Sequence, residues 1–361
     1  MTAPRPRLAA ALALVLAAAV LAGCSGGDDR SDAATTSSAG PTTTERPPTT
    51  AAEPGVAADG PARPSPGCGS STTGAVTDER RTVSVGGTER WYLLTTPAGH
   101  DGRNPVPLVL DFHGLAEGAE VHTGMASYGR LGQQEGFAVA VPQGEGAVPA
   151  WKVGLDPSNP DLAFVDALLD QLGQQLCLDT SRVYATGLSN GAFMASTLGC
   201  VRADRFAAIA PIAGVRFPEG CAPSRPVPVL AVHGTADPIL LFNGGVGDLS
   251  SALAGTTPTL PPAADADIDG PGYPEAVRGW VGADRCGATP ADTDITPEVL
   301  RRTYECPDGI SVEFFVVKGG GHSWPGSEFS RSIEAIVGPT NMDLDASRVS
   351  WDFFRRFQLP S

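Results

Sequence analysis

The stretch TGLSNGAF places Ser189 between Gly187 and Gly191, in the pattern Gly-x-Ser-x-Gly. A serine hydroxyl held at a sharp turn can attack a carbonyl carbon when a neighbouring base accepts its proton. The pattern alone is weak evidence in a chain with 44 glycines, because residues 23–27 fit it as well. At Ser189, however, a strand pattern over residues 182–186 precedes the motif and a helix pattern follows it. A nucleophile elbow requires this strand–turn–helix order, so we predict that Ser189 is a nucleophile exposed at a sheet edge.

A nucleophilic serine needs a base, and two of the five histidines, His233 and His322, follow Ser189 in the chain. In sites of this type the chain order is serine, then an acid, then histidine. Asp237 lies just beyond a predicted strand that ends at His233, and His322 follows the last predicted strand through three glycines. We therefore predict that His322 is the general base and that Asp237 orients it. Asp248, deeper in an irregular segment, is the alternative acid.

The oxyanion formed by attack on an ester needs two backbone N–H donors. The residue after the nucleophile, Asn190, supplies one, and the loop that follows an earlier core strand supplies the other, for which Leu115 is the candidate. His113 in the same loop is predicted to be structural and to pack beneath it. The sequence has no C-x-x-C motif and no Cys/His cluster, so neither a metal nor a cofactor is implied.

The elements that must position these residues alternate between short apolar strands and helical patterns. This alternation predicts an α/β fold, a mostly parallel sheet with helices on both faces. A hairpin is expected around Gly86 and Gly87. Predicted core strands cover residues 106–112, 137–141, 182–187, 206–214, 227–234 and 311–321, and predicted helices cover residues 161–176, 191–199 and 346–357.

The N-terminus has the pattern of an export signal. Arg5 and Arg7 precede an apolar run over residues 8–21, which is too short to span a membrane as a helix. The run ends in LAGC, which predicts a bacterial lipoprotein signal over residues 1–23 with lipidation of Cys24. The alternative is an ordinary secretory signal cleaved near Gly23. Residues 24–66 are rich in Ser, Thr and Pro and predict a disordered tether, which leaves residues 67–361 as the folded domain.

The formal net charge of −15 bears on partners. Nucleic acids and anionic membranes attract basic surfaces, so neither is expected to bind this protein through its charge. Contact with a membrane is expected only through a lipid at Cys24, on the outer face of the cell membrane. The oligomeric state is left open.

Six cysteines remain after Cys24, and an even number in an exported protein predicts up to three disulfides. Cys286 and Cys306 flank one polar segment, so we favour that pair. The pairing of the other four is left open, with buried free thiols as the alternative. These four are Cys68, Cys177, Cys200 and Cys221.

The stretches GLSNGAFMA, HGTADP and GGGHSWPG together resemble the polyhydroxybutyrate depolymerase and feruloyl esterase group of secreted α/β-hydrolases. The similarity runs from about residue 68 to the C-terminus, and it implies the α/β-hydrolase fold. The group carries its nucleophile, acid and base at the positions of Ser189, Asp237 and His322. Residues 161–164 follow the group's acidic motif only loosely. Residues 242–279 are longer and richer in Ala and Pro than in that group, and could form the rim of the site or a lid.

Two tryptophans are expected to form an aromatic wall against a substrate ring or chain. Trp324 lies two residues beyond His322, and Trp151 lies in a loop after a core strand. Ordinary packing within the loops is the alternative for both.

These features predict an exported serine esterase that works through an acyl-enzyme. We expect no separate polymer-binding domain after the hydrolase, which favours soluble esters or oligomers over solid polyester. The expected substrates are polyhydroxybutyrate or hydroxyalkanoate oligomers or similar polyesters. Feruloyl or acetyl-xylan esters are the alternative within this class. A catalytically silent surface binding module and a transacylase, which passes the acyl group to an alcohol, are alternatives from other classes.

Overall fold

A ten-stranded sheet forms the centre of the protein in a computed structural model, which describes residues 58, 60–69, 74–247, 257–261 and 265–360. The order across the sheet is β1-β2-β4-β3-β5-β6-β7-β10-β9-β8. Strands β4, β3, β5, β6, β7 and β10 are parallel, and antiparallel hairpins extend both edges. The strands are Glu79–Val85 (β1), Thr88–Thr95 (β2), Val106–Phe112 (β3), Ala138–Pro142 (β4), Leu178–Leu188 (β5), Ala208–Ile212 (β6), Val229–Gly234 (β7), Ala291–Thr296 (β8), Val299–Glu305 (β9) and Ser311–Val317 (β10).

The central strands are buried on both faces, which explains their continuous apolar sequences. In β3, Leu108 and Leu110 contribute to one hydrophobic core, while Val109 between them contributes to the other. Successive side chains of a strand point to opposite faces of the sheet. The sheet therefore separates two cores, and each needs a layer of helices to cover it.

Eight α-helices among the described residues supply these layers. Helices α3, α4 and α5 place their buried residues in one core, and α1, α2 and α8 place theirs in the other. The predicted α/β-hydrolase fold, a mostly parallel sheet with helices on both faces, is confirmed. The helices are Ala119–Ala126 (α1), Tyr128–Glu135 (α2), Pro160–Gln175 (α3), Asn190–Val201 (α4), Tyr273–Ala283 (α5), Glu328–Ser332 (α6), Glu334–Val337 (α7) and Ala346–Phe354 (α8).

Local sequence sets the start of α3. The Asn159 side chain accepts a hydrogen bond from the Asp161 N–H at 3.0 Å, and Pro160 takes the first helical position. An N-terminal cap of this kind satisfies an N–H that has no carbonyl partner within the helix. Asp161 also forms a buried ion pair with Arg90 of β2 at 3.0 Å, which ties the helix to the sheet.

Three disulfides join the six cysteines of the described residues. The predicted Cys286–Cys306 pair is present, and it closes the base of the β8–β9 hairpin. The pairs whose connectivity the sequence left open are Cys68–Cys177 and Cys200–Cys221. Disulfides form and persist in oxidising compartments outside the cytosol, so the bonding pattern indicates an extracytoplasmic protein.

Residues 60–66 correct the predicted domain boundary. They were expected to belong to the tether, but they pack against the beginning of β5. The Ser65 N–H donates to Leu178 O at 2.8 Å, and the Ser65 hydroxyl donates to Leu176 O at 2.6 Å. Arg63 donates to the Asp179 carboxylate and to the carbonyls of residues 359 and 360. The folded domain therefore begins near residue 60, and the predicted signal and Cys24 lie outside the described residues.

Within the described ranges, no helix has both the length and the apolar character needed to cross a membrane. The same residues contain no group of His, Cys, Asp and Glu side chains that could hold a metal ion.

Candidate active site

Ser189 occupies the sharp turn between β5 and α4. Its φ of 56° is positive, which is rare and strained for a residue with a side chain. Strand β5 ends at Leu188 and α4 begins at Asn190, so a single residue makes the turn. Gly191 permits it, because a Cβ there would lie 1.9 Å from the Phe112 carbonyl oxygen. The structure thus has the elbow geometry that the sequence predicted, with Ser189 at the carboxyl end of the central strand.

His322 follows β10 through the three glycines. The backbone N–H of His322 donates to Val337 O at 2.6 Å, and the backbone N–H of Gly321 donates to Pro339 O at 2.7 Å. A Cβ on Gly321 would lie 2.2 Å from Val337 O, so only glycine allows this close approach. The glycines therefore let the loop bind another backbone segment, which holds the imidazole in place.

Asp237 follows β7 and accepts a 2.8 Å hydrogen bond from His322 Nδ1 through its Oδ2 atom. Its Oδ1 atom accepts from the N–H groups of Ile239 and Leu240, each at 2.8 Å. Burial alone would raise the pKa of Asp237, but the charge of His322 and hydrogen bonds from His233 and His322 hold that pKa below its ordinary value. When His322 acts as a base, ionised Asp237 keeps the remaining ring proton on Nδ1 and leaves Nε2 free to accept a proton.

A second histidine, His233, also contacts this acid, which the sequence reasoning did not anticipate. Its Nε2 atom lies 3.2 Å from Asp237 Oδ2 and 3.0 Å from Leu240 O. Both neighbours are acceptors, so Nε2 carries the proton. The ring stacks on Tyr273 with centroids 3.7 Å apart. The sequence feature that could have indicated this contact is the spacing of four residues between His233, at the end of the strand, and Asp237 beyond it.

A cavity of about 330 Å³ brings four of the predicted residues together. Ser189, His322, Asn190 and Leu115 all line it, and most of its other lining residues are apolar. We call it the Ser189 cavity. None of the described residues that line it is Lys or Arg. The remaining lining residues are Gly114, Glu117, Met125, Leu188, Phe193, Ile239, Leu240, Val246, Ser330, Ile333, Ile336 and Val337.

Both predicted oxyanion donors, the N–H groups of Asn190 and Leu115, belong to residues that line the Ser189 cavity. The Asn190 N–H stands at the first position of α4, where no carbonyl four residues earlier in the helix can accept it. The Asn190 side chain is engaged elsewhere, since its Oδ1 accepts from the Trp151 N–H at 2.7 Å and its Nδ2 donates to Trp151 O. Across the described residues, neither the Asn190 N–H nor the Leu115 N–H has a protein acceptor.

His113 has the structural position that the sequence predicted. It is fully buried, its Nδ1 lies 2.7 Å from Gly114 O, and its Nε2 accepts from the Gly144 N–H at 2.9 Å. Burial lowers the pKa of His113 to about 4, against a smaller opposing effect of the hydrogen bond to Gly114. The ring is therefore neutral, and its Nδ1–H donates to Gly114 O.

The two tryptophans do not line the Ser189 cavity, so the expectation of an aromatic wall is corrected. Trp324 is 1% exposed, and its indole N–H donates to Ser347 Oγ at 3.0 Å. Trp151 is 4% exposed, and its indole N–H donates to His113 O at 2.9 Å. A large indole gains more from burial with a satisfied N–H than from exposure in a cleft. Trp151 contributes to the site indirectly, through its backbone contacts with Asn190.

Two further predictions concern the alternative acid and the irregular segment 242–279. Asp248, the alternative acid, lies outside the described residues, as do residues 249–256 and 262–264 of the segment 242–279. The described end of that segment includes the start of α5, which the sequence pattern did not predict.

Comparison with known proteins identifies relatives of the chain. The profile of the family described as Esterase PHB depolymerase matches residues 91–257. The chain is 31% identical over 295 residues to "Putative esterase NocK" of Nocardia uniformis subsp. tsuyamanensis, covering 77% of this chain and 83% of that protein. It is 31% identical over 234 residues to "Probable feruloyl esterase C" of Aspergillus niger, covering 62% and 78%. It is 27% identical over 280 residues to feruloyl esterase B of Piromyces equi, covering 75% of this chain and 46% of that longer relative.

Proposed function

Because the chain belongs to the esterase PHB depolymerase family, we propose that it hydrolyses carboxylic esters with Ser189 as nucleophile, His322 as base and Asp237 as orienting acid. The observation that carries this proposal is the 2.8 Å hydrogen bond from His322 to buried Asp237, at a cavity that Ser189 also lines. Labelling by a fluorophosphonate tests it, since the reagent reacts with an activated serine. Mass spectrometry should locate the label on Ser189.

The proposed reaction proceeds in two stages. His322 Nε2 takes the proton of the Ser189 hydroxyl as the oxygen attacks the ester carbonyl carbon, and the negative charge moves to the carbonyl oxygen. The N–H groups of Asn190 and Leu115 stabilise that charge. The tetrahedral intermediate expels the alcohol, which receives the proton from His322, and leaves an acyl-enzyme. Water then gives a proton to His322 and attacks the acyl carbon. The bond to Ser189 breaks, His322 returns the proton to the Ser189 oxygen, and the acid is released.

The lining of the Ser189 cavity supports an uncharged acyl group. Its branched aliphatic side chains include Ile239, Ile333 and Ile336, and a volume of about 330 Å³ is small for a binding pocket. Such a cavity accommodates one acyl unit at the end of a short oligomer. We propose hydroxyalkanoate oligomers as the substrate class. Feruloyl esters are the second candidate, because several relatives are named feruloyl esterases.

The absence of Lys and Arg from the described lining predicts discrimination against charged acyl groups. The kcat/KM for p-nitrophenyl butyrate should exceed that for the p-nitrophenyl monoester of succinate by at least about tenfold, because a buried carboxylate would find no Lys or Arg partner among the described lining residues. Initial-rate measurements at pH 7 check this. Equal values for the two esters would contradict the proposed location of the acyl group.

A second panel separates the two substrate candidates. It compares hydroxybutyrate trimer, methyl ferulate and acetylated xylan, with release of each acid followed by chromatography. The proposal expects the largest kcat/KM for the trimer. A larger value for methyl ferulate or acetylated xylan would instead support the alternative.

We also propose that the protein is exported and anchored through a lipid at Cys24, as the LAGC pattern suggests. Cys24→Ala should move the protein from the detergent phase to the aqueous phase in a phase-partition experiment, because acyl chains supply the membrane affinity. Ser25→Ala is the matched control and should stay in the detergent phase. Retention of Cys24→Ala in the detergent phase would contradict the anchor.

A further inference from the structure

In the loop that follows β3, the backbone N–H groups of residues 114, 116 and 117 have acceptors. The Gly114 N–H donates to Glu117 Oε2 at 2.6 Å, and the Ala116 N–H donates to Pro149 O at 2.8 Å. The Glu117 N–H donates to Gly114 O at 3.3 Å. Leu115 alone, among the four residues 114–117, keeps an N–H with no acceptor among the described residues.

The direction of that N–H follows from the peptide bond before it. In a trans peptide the carbonyl of one residue and the N–H of the next point in opposite directions. Gly114 O accepts from His113 Nδ1 and from the Glu117 N–H, so its direction is fixed from two sides. The Leu115 N–H must therefore point away from both donors. The residues that fix Gly114 therefore also fix the position of the Leu115 N–H.

Glu117 contacts Gly114 twice: its carboxylate accepts from the Gly114 N–H, and its own N–H donates to Gly114 O. A buried chain of hydrogen bonds in turn fixes the Glu117 carboxylate. Its Oε1 lies 2.9 Å from His122 Nδ1, and His122 Nε2 lies 2.7 Å from Asp111 Oδ1. The side chains of these three residues are at most 5% exposed. Asp111 lies in β3 and His122 in α1, so the chain ties the loop to two rigid elements.

His122 lies between two buried carboxyl groups, and burial raises the pKa of one of them, Asp111, against the opposing charge of His122. Burial would lower the pKa of His122, but the charges of Asp111 and Glu117 outweigh it and raise that pKa to about 10. Burial would likewise raise the pKa of Glu117, yet His122 holds it below its ordinary value. Glu117 is thus an ionised acceptor, and charge-assisted hydrogen bonds to such an acceptor are shorter and stronger than neutral ones.

We propose that Glu117, held by His122 and Asp111, is a positioning residue that orients the Leu115 N–H toward the oxyanion in the Ser189 cavity. This inference rests on the proposed function. Glu117 lines the cavity beside Gly114 and Leu115, while its carboxylate oxygens are engaged by Gly114 and His122. It therefore acts on the reaction through the backbone and needs no contact with the ester.

The test compares Glu117→Ala, Glu117→Gln and Glu313→Ala in the full chain. Glu117→Ala should lower kcat by about 10- to 100-fold with KM changed less than about threefold, because a displaced donor weakens binding of the transition state more than of the ester. Affinity for a boronic acid that mimics the tetrahedral intermediate should fall by the same factor as kcat/KM. Glu117→Gln should recover most of the lost kcat, since its amide oxygen can accept from the Gly114 N–H.

Glu313→Ala is the matched control for loss of a buried carboxylate. Glu313 pairs with Arg356 at 2.7 Å near the start of β10, at the end of the sheet away from Ser189. It should lower the melting temperature while leaving kcat near the wild-type value. The proposal is overturned if folded Glu117→Ala keeps kcat within about twofold of wild type, or if its whole defect lies in KM. If Ser189→Ala remains active, the proposed function fails instead, whatever the Glu117 variants do.

Discussion

Ser189→Ala should lower kcat by about 10⁴- to 10⁶-fold while leaving the fold intact. The reason is that the proposed acyl-enzyme cannot form without the hydroxyl, and residual activity would come from the oxyanion donors and binding alone. His322→Ala should fall in the same range, because the members of such a unit act together. Hydrolysis of p-nitrophenyl butyrate under single-turnover and steady-state conditions measures both variants.

A matched control, one covalent label and one acyl-transfer assay make this result specific. Ser196→Ala changes a buried serine of α4 whose hydroxyl donates to Ala192 O, and it should retain wild-type kcat. Failure of a fluorophosphonate to label Ser189 in the wild-type protein would favour the alternative that the chain is a catalytically silent binding module. Transfer of the acyl group to an added alcohol, in preference to water, would identify a transacylase. A loss below tenfold in either Ser189→Ala or His322→Ala would contradict the assignment of roles.

Asp237→Asn should lower kcat by about 10⁴-fold, and the hydrogen bonds around Asp237 explain why so small a change is so costly. Two backbone N–H groups, of Ile239 and Leu240, bind the Oδ1 atom. The amide oxygen of asparagine must take that position, which places its NH₂ group opposite His322 Nδ1. The imidazole must then accept at Nδ1 and carry its proton on Nε2, so it cannot take the proton of Ser189.

The control for this substitution is Asp284→Asn. Asp284 is also fully buried and also accepts a backbone hydrogen bond, from the Val227 N–H at 2.9 Å, but it does not line the Ser189 cavity. It should keep the wild-type kcat. The pH-rate profile of Asp237→Asn provides a second readout. With His322 in the wrong tautomer, the rate should rise only at high pH, where hydroxide takes the role of the general base. A profile and kcat unchanged from wild type would contradict the orienting role of Asp237.

The chain order of the candidate catalytic residues could be predicted because each follows a strand of the parallel sheet. The carboxyl ends of parallel strands lie at one edge, so Ser189 after β5, Asp237 after β7 and His322 after β10 converge there. Strands buried on both faces are long apolar runs, which single-sequence patterns detect well. The β8–β9 hairpin was not predicted, because β8 is largely exposed and has no apolar alternation.

The tryptophans show where a linear pattern fails. Trp324 is two residues from His322, yet its partners are Ser347, 23 residues away, and the ring of His122, 5.5 Å away by centroid. Neighbours in a loop point in directions that tertiary packing decides, and no local spacing encodes these partners. The Asp111 network left a clearer signal, since a lone carboxylate inside the apolar strand VPLVLDF requires a buried partner.

Residues 60–66 bind the domain at the end of the sheet opposite Ser189. They bind at Leu178 and Asp179, where β5 begins, whereas Ser189 follows its other end. Eleven residues of extended chain separate the two points by about 33 Å. If Cys24 carries the proposed lipid, the chain that leads from it enters the domain at the end of the sheet opposite the Ser189 cavity.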